Sequence, residues 1–127
     1  MPCPHDRRYL KSHEWHMLAD GLVTIGITRF AADQLTDITY VELPAVGRSV
    51  QAGEPIGEIE SVKATSDVYA GVSGVVVEVN RDLTAAPELL NTDPFGAGWI
   101  ARVRPSNVSE LDALMSAEEY GREIGQG

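Results

Sequence analysis

The amino-acid sequence predicts a mainly β fold. Between Ile38 and Val79, strand-sized apolar runs follow one another, each closed by glycine or proline, a spacing typical of a sandwich or barrel. No helix of crossover length separates the runs, which excludes a parallel βαβ arrangement. The 127 residues, 43% hydrophobic and 23% charged, suit one ordinary globular domain.

The elements follow in order. Glu14 to Leu18, the turn Ala19-Asp20-Gly21 and Leu22 to Ile27 read as a hairpin, because Asp-Gly favours the tight turn that joins two twisted strands. Thr28 fits the N-cap of a short helix from Arg29 to Leu35. Strands are expected at Ile38 to Leu43, Ser49-Val50, Pro55 to Glu60, Thr65 to Tyr69 and Val75 to Val79. Leu83 to Leu90, broken by Pro87, allows only short helical turns, and Trp99 to Val103 reads as a further strand. Trp15 and Trp99 are thus both expected in strands, as core or cleft wall. Beyond them Val108, Leu111, Leu114 and Met115 form a helical stripe, and Ser116-Ala117-Glu118-Glu119 has the form of a capping box opening a second helix. The expectation is a single domain over residues 1–127, with a β core at about 9–104 and a helical tail at about 107–124.

Charge narrows the function classes. Nineteen acidic residues against ten basic give −9, the wrong sign for neutralising phosphates, so neither nucleic acid nor an anionic membrane is an expected partner. No apolar run reaches the length of a membrane span, and the first residues contain no hydrophobic stretch of the export-signal kind. The lone Cys3 has no internal partner and reads as a bystander thiol. Only Lys11 and Lys63 offer a side-chain primary amine, since the other eight basic residues are arginines.

Familiar catalytic constellations fail on spacing. His13 and His16, three apart in a strand, face opposite sides of the pleat and cannot share a metal. Gly71-Val72-Ser73-Gly74 lacks a spacer of the nucleophile elbow, and no helix follows it. Gly53 and Gly57 have no helix N-terminus behind them to hold phosphate. Lys63 stands apart: the alternation on either side of Ser61-Val62-Lys63-Ala64-Thr65 requires the chain to reverse there. An amine on that protruding tip, flanked by Glu58, Glu60 and Asp67, is accessible to an acylating enzyme.

Gly57-Glu58-Ile59-Glu60-Ser61-Val62-Lys63-Ala64-Thr65-Ser66-Asp67 closely resembles the lipoyl-attachment motif of the glycine cleavage H-protein family. His13-Glu14-Trp15, Gly26-Ile27-Thr28, Val41-Glu42-Leu43-Pro44, Ala70-Gly71-Val72-Ser73-Gly74, Pro87-Glu88-Leu89-Leu90-Asn91 and Gly98-Trp99 fall in that family's order, and the likeness spans about Tyr9 to Tyr120. Val62-Lys63-Ala64 differs from the Asp-Lys-Ala usual in lipoyl domains of 2-oxoacid dehydrogenases and from the Met-Lys-Met of biotinyl domains.

The resemblance implies a flattened antiparallel β sandwich of the lipoyl/biotinyl type (a barrel-sandwich hybrid) with short helices. It implies lipoate in amide linkage on Lys63, and a carrier rather than an enzyme. Its implied partners are a pyridoxal-phosphate glycine decarboxylase, a tetrahydrofolate-dependent aminomethyltransferase, dihydrolipoyl dehydrogenase and a lipoyl ligase or transferase. Ser12, Glu14 and Asp67 are the implied cleft residues for the aminomethyl-loaded arm, where a carboxylate would shelter the ammonium. Gln34 stands where related sequences often have histidine, and glutamine does not titrate near neutral pH. A monomer is expected, in a bacterial cytoplasm or, for a processed chain, the mitochondrial matrix. Two competing readings are a relay that stores lipoate on Lys63 for transfer to other proteins, and an unmodified interaction module.

Overall fold

The structure is a computed structural model and describes residues 4–125; Cys3 lies outside them. Among the described residues, nine strands form two antiparallel sheets. The larger runs β1 (Arg8–Tyr9), β2 (Glu14–Ala19), β3 (Leu22–Ile27), β9 (Ala101–Pro105), β8 (Gly74–Val79), β5 (Ser49–Val50) from edge to edge. The smaller has β4 (Ile38–Glu42), β6 (Pro55–Ser61) at its centre and β7 (Thr65–Tyr69). Neither closes into a barrel, so the flattened sandwich expected from the resemblance is the fold observed. Among the described residues no helix is long and apolar enough to cross a membrane.

Between the sheets lies an aliphatic core. Val23, Ile25 and Ile27 of β3, Val76 of β8 and Val103 of β9 meet Val41, Ile56, Ile59 and Val68 of the smaller sheet, all nearly or fully buried. A second cluster covers the other face of the larger sheet, where Tyr9 and Trp15 pack with Ala117 and Tyr120. The Tyr9 and Tyr120 rings stack at 4.8 Å. Trp15 lies flat over its cross-strand partner Gly26, and a Cβ there would come within 2.5 Å of the indole. Glycine at 26 is therefore a condition for the tryptophan's position.

Local chemistry places the elements where the sequence put most of them. Asp20 and Gly21 both take positive φ, the turn that twists with its strands. Thr28 caps α1 (Arg29–Leu35) by accepting the N–H of Ala31. Pro87 separates two one-turn helices, α2 (Asp82–Ala85) and α3 (Leu89–Thr92). At α4 (Ala117–Glu123) both halves of the Ser116–Glu119 capping box form.

Two expectations need correction. Trp99 is not in a strand: its N–H closes a turn onto Gly96, and the ladder of β9 begins only at Ala101. Its ring instead supports the Arg102 guanidinium at 3.9 Å. The stripe from Val108 to Met115 is not an α-helix but a 3₁₀ helix over Val108–Ala113, with Leu111 buried and Val108 about half exposed. The physical reason is Met115, whose N–H and C=O both pair with Tyr9 at 2.8 Å. That bridge holds the chain extended at Met115, so the helix ends at Ala113 and does not run the length of the stripe.

Candidate functional site

Lys63 stands at the end of the β6–β7 hairpin, exposed, with no ion pair among the described residues. The tip is built from within. Ser61 Oγ accepts the N–H groups of Lys63 at 3.3 Å and Ala64 at 3.1 Å and donates to the Ala64 carbonyl, while Ser61 N–H also bonds Ala64 O at 2.8 Å. One hydroxyl thus satisfies the donors of a turn that has no neighbouring strand, as serine does in side-chain turns. From outside, Val62 N–H donates to the Asp37 carbonyl at 3.1 Å.

Glu14 sits at the start of β2 on the core-facing side, opposite Ile27, and is 1% exposed. Its two oxygens are held separately: the Ser12 hydroxyl donates to Oε1, and the Tyr69 N–H donates to Oε2 at 2.9 Å. Burial pushes the carboxyl up to about 7, and these two donors pull only partly against it. It is therefore a buried acid poised to exchange a proton near neutral pH, rather than the edge-strand acid that its position in sequence suggests.

Ser12, Leu10, Lys11, Gly53 and Tyr69 line a shallow, mostly apolar groove of about 400 Å³, and two of these residues, Ser12 and Tyr69, are the ones that hydrogen-bond the Glu14 carboxyl behind it. Having given its proton to Glu14, Ser12 Oγ retains lone pairs for a donor in the groove. Asp67 is elsewhere. It is exposed on the outer face of the smaller sheet, opposite Glu58, which in turn lies opposite Glu42, and it lines a separate groove. Its link to the Glu14 group is indirect, through the Tyr69 hydroxyl at 3.5 Å. Gln34 is exposed on α1.

His13 and His16 diverge. His13 lies outside the strands at positive φ, with Nδ1 2.8 Å from the Tyr120 hydroxyl and its ring against Phe30; burial lowers its pKa. His16 is enclosed in the core, its Nε2 accepting the Gly71 N–H at 2.8 Å. That bond leaves the ring proton on Nδ1, which feels the Glu14 carbonyl but has no partner at hydrogen-bond geometry. Burial holds His16 down at about 3, so the ring is neutral. Among the described residues no group of His, Cys, Asp or Glu is arranged to hold a metal ion.

Sequence reasoning missed Ser61, Asp37 and Tyr69. A serine two places before a turn lysine is a signal for the first. Asp37 acts through its carbonyl and Tyr69 holds Glu14 through its N–H, main-chain groups that every residue carries, so neither bond has a side-chain signal.

Against known proteins, the family described as Glycine cleavage H-protein matches residues 7–126. The glycine cleavage system H protein of Coprothermobacter proteolyticus is 55% identical over 120 residues, 94% of each chain. One from Thermus thermophilus is 51% identical over 120 residues, again 94% of each. In three dimensions, a glycine cleavage system H protein from Mycobacterium marinum superposes with a TM-score of 0.90 at 43% identity, covering 97% of this chain and 99% of that one.

Proposed function

The chain belongs to the glycine cleavage H-protein family, whose members are lipoyl carriers and not catalysts of their own, and we propose that Lys63 is the residue that bears its lipoate, in amide linkage. The observation that carries this reading is the exposed amine at the tip of the β6–β7 hairpin, on a turn braced by Ser61. The residues present fit the group: the amine is accessible, and the structure has an apolar groove whose Ser12 and Tyr69 hold the buried Glu14 carboxyl.

Bound lipoate supplies a disulfide that accepts the aminomethyl carbon and, as a dithiol, is reoxidised after the carbon leaves. The protein's own residues orient, shelter and neutralise. Ser61 and the Asp37 carbonyl fix the direction in which the Lys63 side chain leaves the sheet. Leu10 and Tyr69 offer apolar wall that excludes water. Ser12 Oγ accepts from an ammonium in the groove, and Glu14 gives up its proton and provides the opposite charge, an exchange that its raised pKa makes easy at neutral pH. That buried acid favours the aminomethyl carrier over a lipoate relay, because a relay has no ammonium to neutralise. Asp67, on the outer face, lies outside this groove and reaches it only through the Tyr69 hydroxyl.

In this reading the carrier is one domain and a monomer, with its core at about 9–104 and its tail at about 107–124. It passes the aminomethyl group from glycine decarboxylase to aminomethyltransferase, is reoxidised by dihydrolipoyl dehydrogenase, and receives lipoate from a ligase. Bacterial relatives support a bacterial cytoplasm as its compartment. Tethering raises the arm's local concentration at each docked active site, and the chemistry belongs to cofactor and partners. The test is reconstitution of glycine decarboxylation with the three partner enzymes, using the lipoylated chain and its Lys63→Arg variant. Guanidinium keeps the charge but forms no lipoyl amide, so the variant should fold, gain no lipoyl mass and support no turnover. Turnover at the wild-type rate would refute the assignment.

A further inference from the structure

Thr36, at the C-terminal end of α1, has φ 60° and ψ −139°. This is the conformation of the first central residue of a type II′ turn, which glycine adopts freely and a β-branched residue adopts only under strain. The next residue, Asp37, contributes the carbonyl that receives Val62 N–H, immediately before Lys63. The side chain of Asn91, from α3, bridges the corner from both sides. Its Nδ2 donates to the Thr36 carbonyl at 2.6 Å, and its Oδ1 accepts the Ile38 N–H at 3.0 Å. Asn91 is itself held: its carbonyl accepts the Arg29 guanidinium, and its N–H donates to Glu88 at 2.9 Å.

We propose that Asn91 is a positioning residue for Lys63: by clamping the strained Thr36–Asp37 corner, it aims the Asp37 carbonyl at Val62 and so presents the lysine tip in one orientation to the lipoylating enzyme. Two properties of the corner require a clamp. Threonine relaxes out of positive φ when nothing opposes it, and the Asp37 carbonyl shares its peptide plane with the Ile38 N–H, so its direction is set by whatever holds that N–H. The Asn91 amide opposes it with one donor and one acceptor in fixed geometry, spanning the residue whose carbonyl matters without touching it. The influence of α3 on the tip therefore runs through a three-residue corner.

The proposal rests on Lys63 being the modified residue, and the experiment separates the two. Apo-protein is treated with a lipoate–protein ligase, lipoate and ATP; the ligase KM and kcat for the acceptor are measured, together with amide exchange of Val62. Wild-type protein that gains no lipoyl mass on Lys63 would overturn the functional reading itself. With wild type modified, Asn91→Ala should raise KM about fivefold, the worth of one lost hydrogen bond, with kcat little changed, and speed Val62 exchange about tenfold. Adding Thr36→Gly should bring KM back to within about twofold of wild type, because glycine holds the corner without strain. A merely structural role would show reduced stability without that rescue. If Asn91→Ala does not fold, Asn91→Asp keeps the volume and the acceptor for Ile38, loses the donor to Thr36, and carries the same expectations. Wild-type KM with a protected Val62 amide in the folded variant, or no recovery in the double variant, would overturn the proposal.

Discussion

Glu14 Oε2 accepts the main-chain N–H of Tyr69 at 2.9 Å, a bond that joins the larger sheet to the smaller across 55 residues of sequence. The same carboxyl accepts the Ser12 hydroxyl, a group of the groove wall. Its pKa, about 7, bears on stability and, in the proposed function, on carriage.

The sign for stability follows from linkage. The native state holds the Glu14 proton more tightly than the unfolded chain, whose carboxyl has the ordinary value near 4.5. Stability from this residue is full below about pH 4.5, falls as pH rises toward 7, and is level above that. The full change is roughly 3 kcal/mol at 1.36 kcal/mol per pKa unit. Glu14→Gln, which keeps an acceptor for Tyr69, should remove that slope, so urea titrations from pH 4.5 to 8 should show the two proteins converging at low pH and the variant more stable at pH 8. Parallel curves would place the titration elsewhere.

The same substitution separates stability from carriage. Glutamine cannot neutralise an ammonium, so lipoylated Glu14→Gln loaded with the aminomethyl group should lose it about tenfold faster than wild type at pH 8, the effect of roughly 1.4 kcal/mol of lost charge pairing. Lipoylation of Lys63 should proceed normally. Release of labelled carbon from the isolated loaded protein gives the rate, and equal rates would mean that Glu14 does not protect the arm.

His16 predicts the opposite acid behaviour. The core excludes the imidazolium, so between about pH 6.5 and 3 the unfolded chain binds a proton that the native chain refuses, and stability falls as pH falls. The loss approaches roughly 5 kcal/mol. His16→Gln, with a carbonyl that can accept from Gly71 and no titration, should be less stable than wild type at pH 7 yet lose less on acidification. Denaturant midpoints at pH 7, 5 and 4 would decide it.

Gly26→Ala tests the outer aromatic cluster. The new methyl would meet the Trp15 ring, whose Nε1–H donates to the Pro94 carbonyl at 2.9 Å and whose face is covered by the Arg7 guanidinium. Overpacking of this kind costs about 1–3 kcal/mol. The expected result is a lower melting temperature with changed Trp15 fluorescence; an unchanged melt would mean that the indole moves freely.

Most of the fold is legible in the sequence where local chemistry decides it. Asp20-Gly21, Thr28, Pro87 and Ser116 each act on neighbours within a few residues, and each lies where its type predicts. Legibility fails where distant parts of the chain decide. Met115 is apolar and in helical register, yet its pairing with Tyr9 makes it extended. Glu14 reads as an edge acid because β2 is buried on both faces, so Trp15 and His16 give no alternation from which to tell inside from outside. Lys63 is legible from its motif, but its supports at Asp37 and Asn91 are not, since a threonine at positive φ has no sequence signature.

The two sheets differ in where their strands come from. The smaller sheet is continuous in sequence apart from β5, running from Ile38 to Tyr69, whereas the larger one pairs Val23 with Val103 and Tyr9 is bridged to Met115. As the chain leaves the ribosome, the lysine hairpin can therefore pair with its neighbours while β9 and α4 are still unsynthesised, because short loops close at lower entropic cost than long ones. The surroundings of Glu14 must wait, since β9, the partner strand that completes the sheet around β2 and β3, emerges some thirty residues after the hairpin is closed. The lysine tip is thus specified early in synthesis, and the setting of the buried acid is completed only once β9 has joined the sheet.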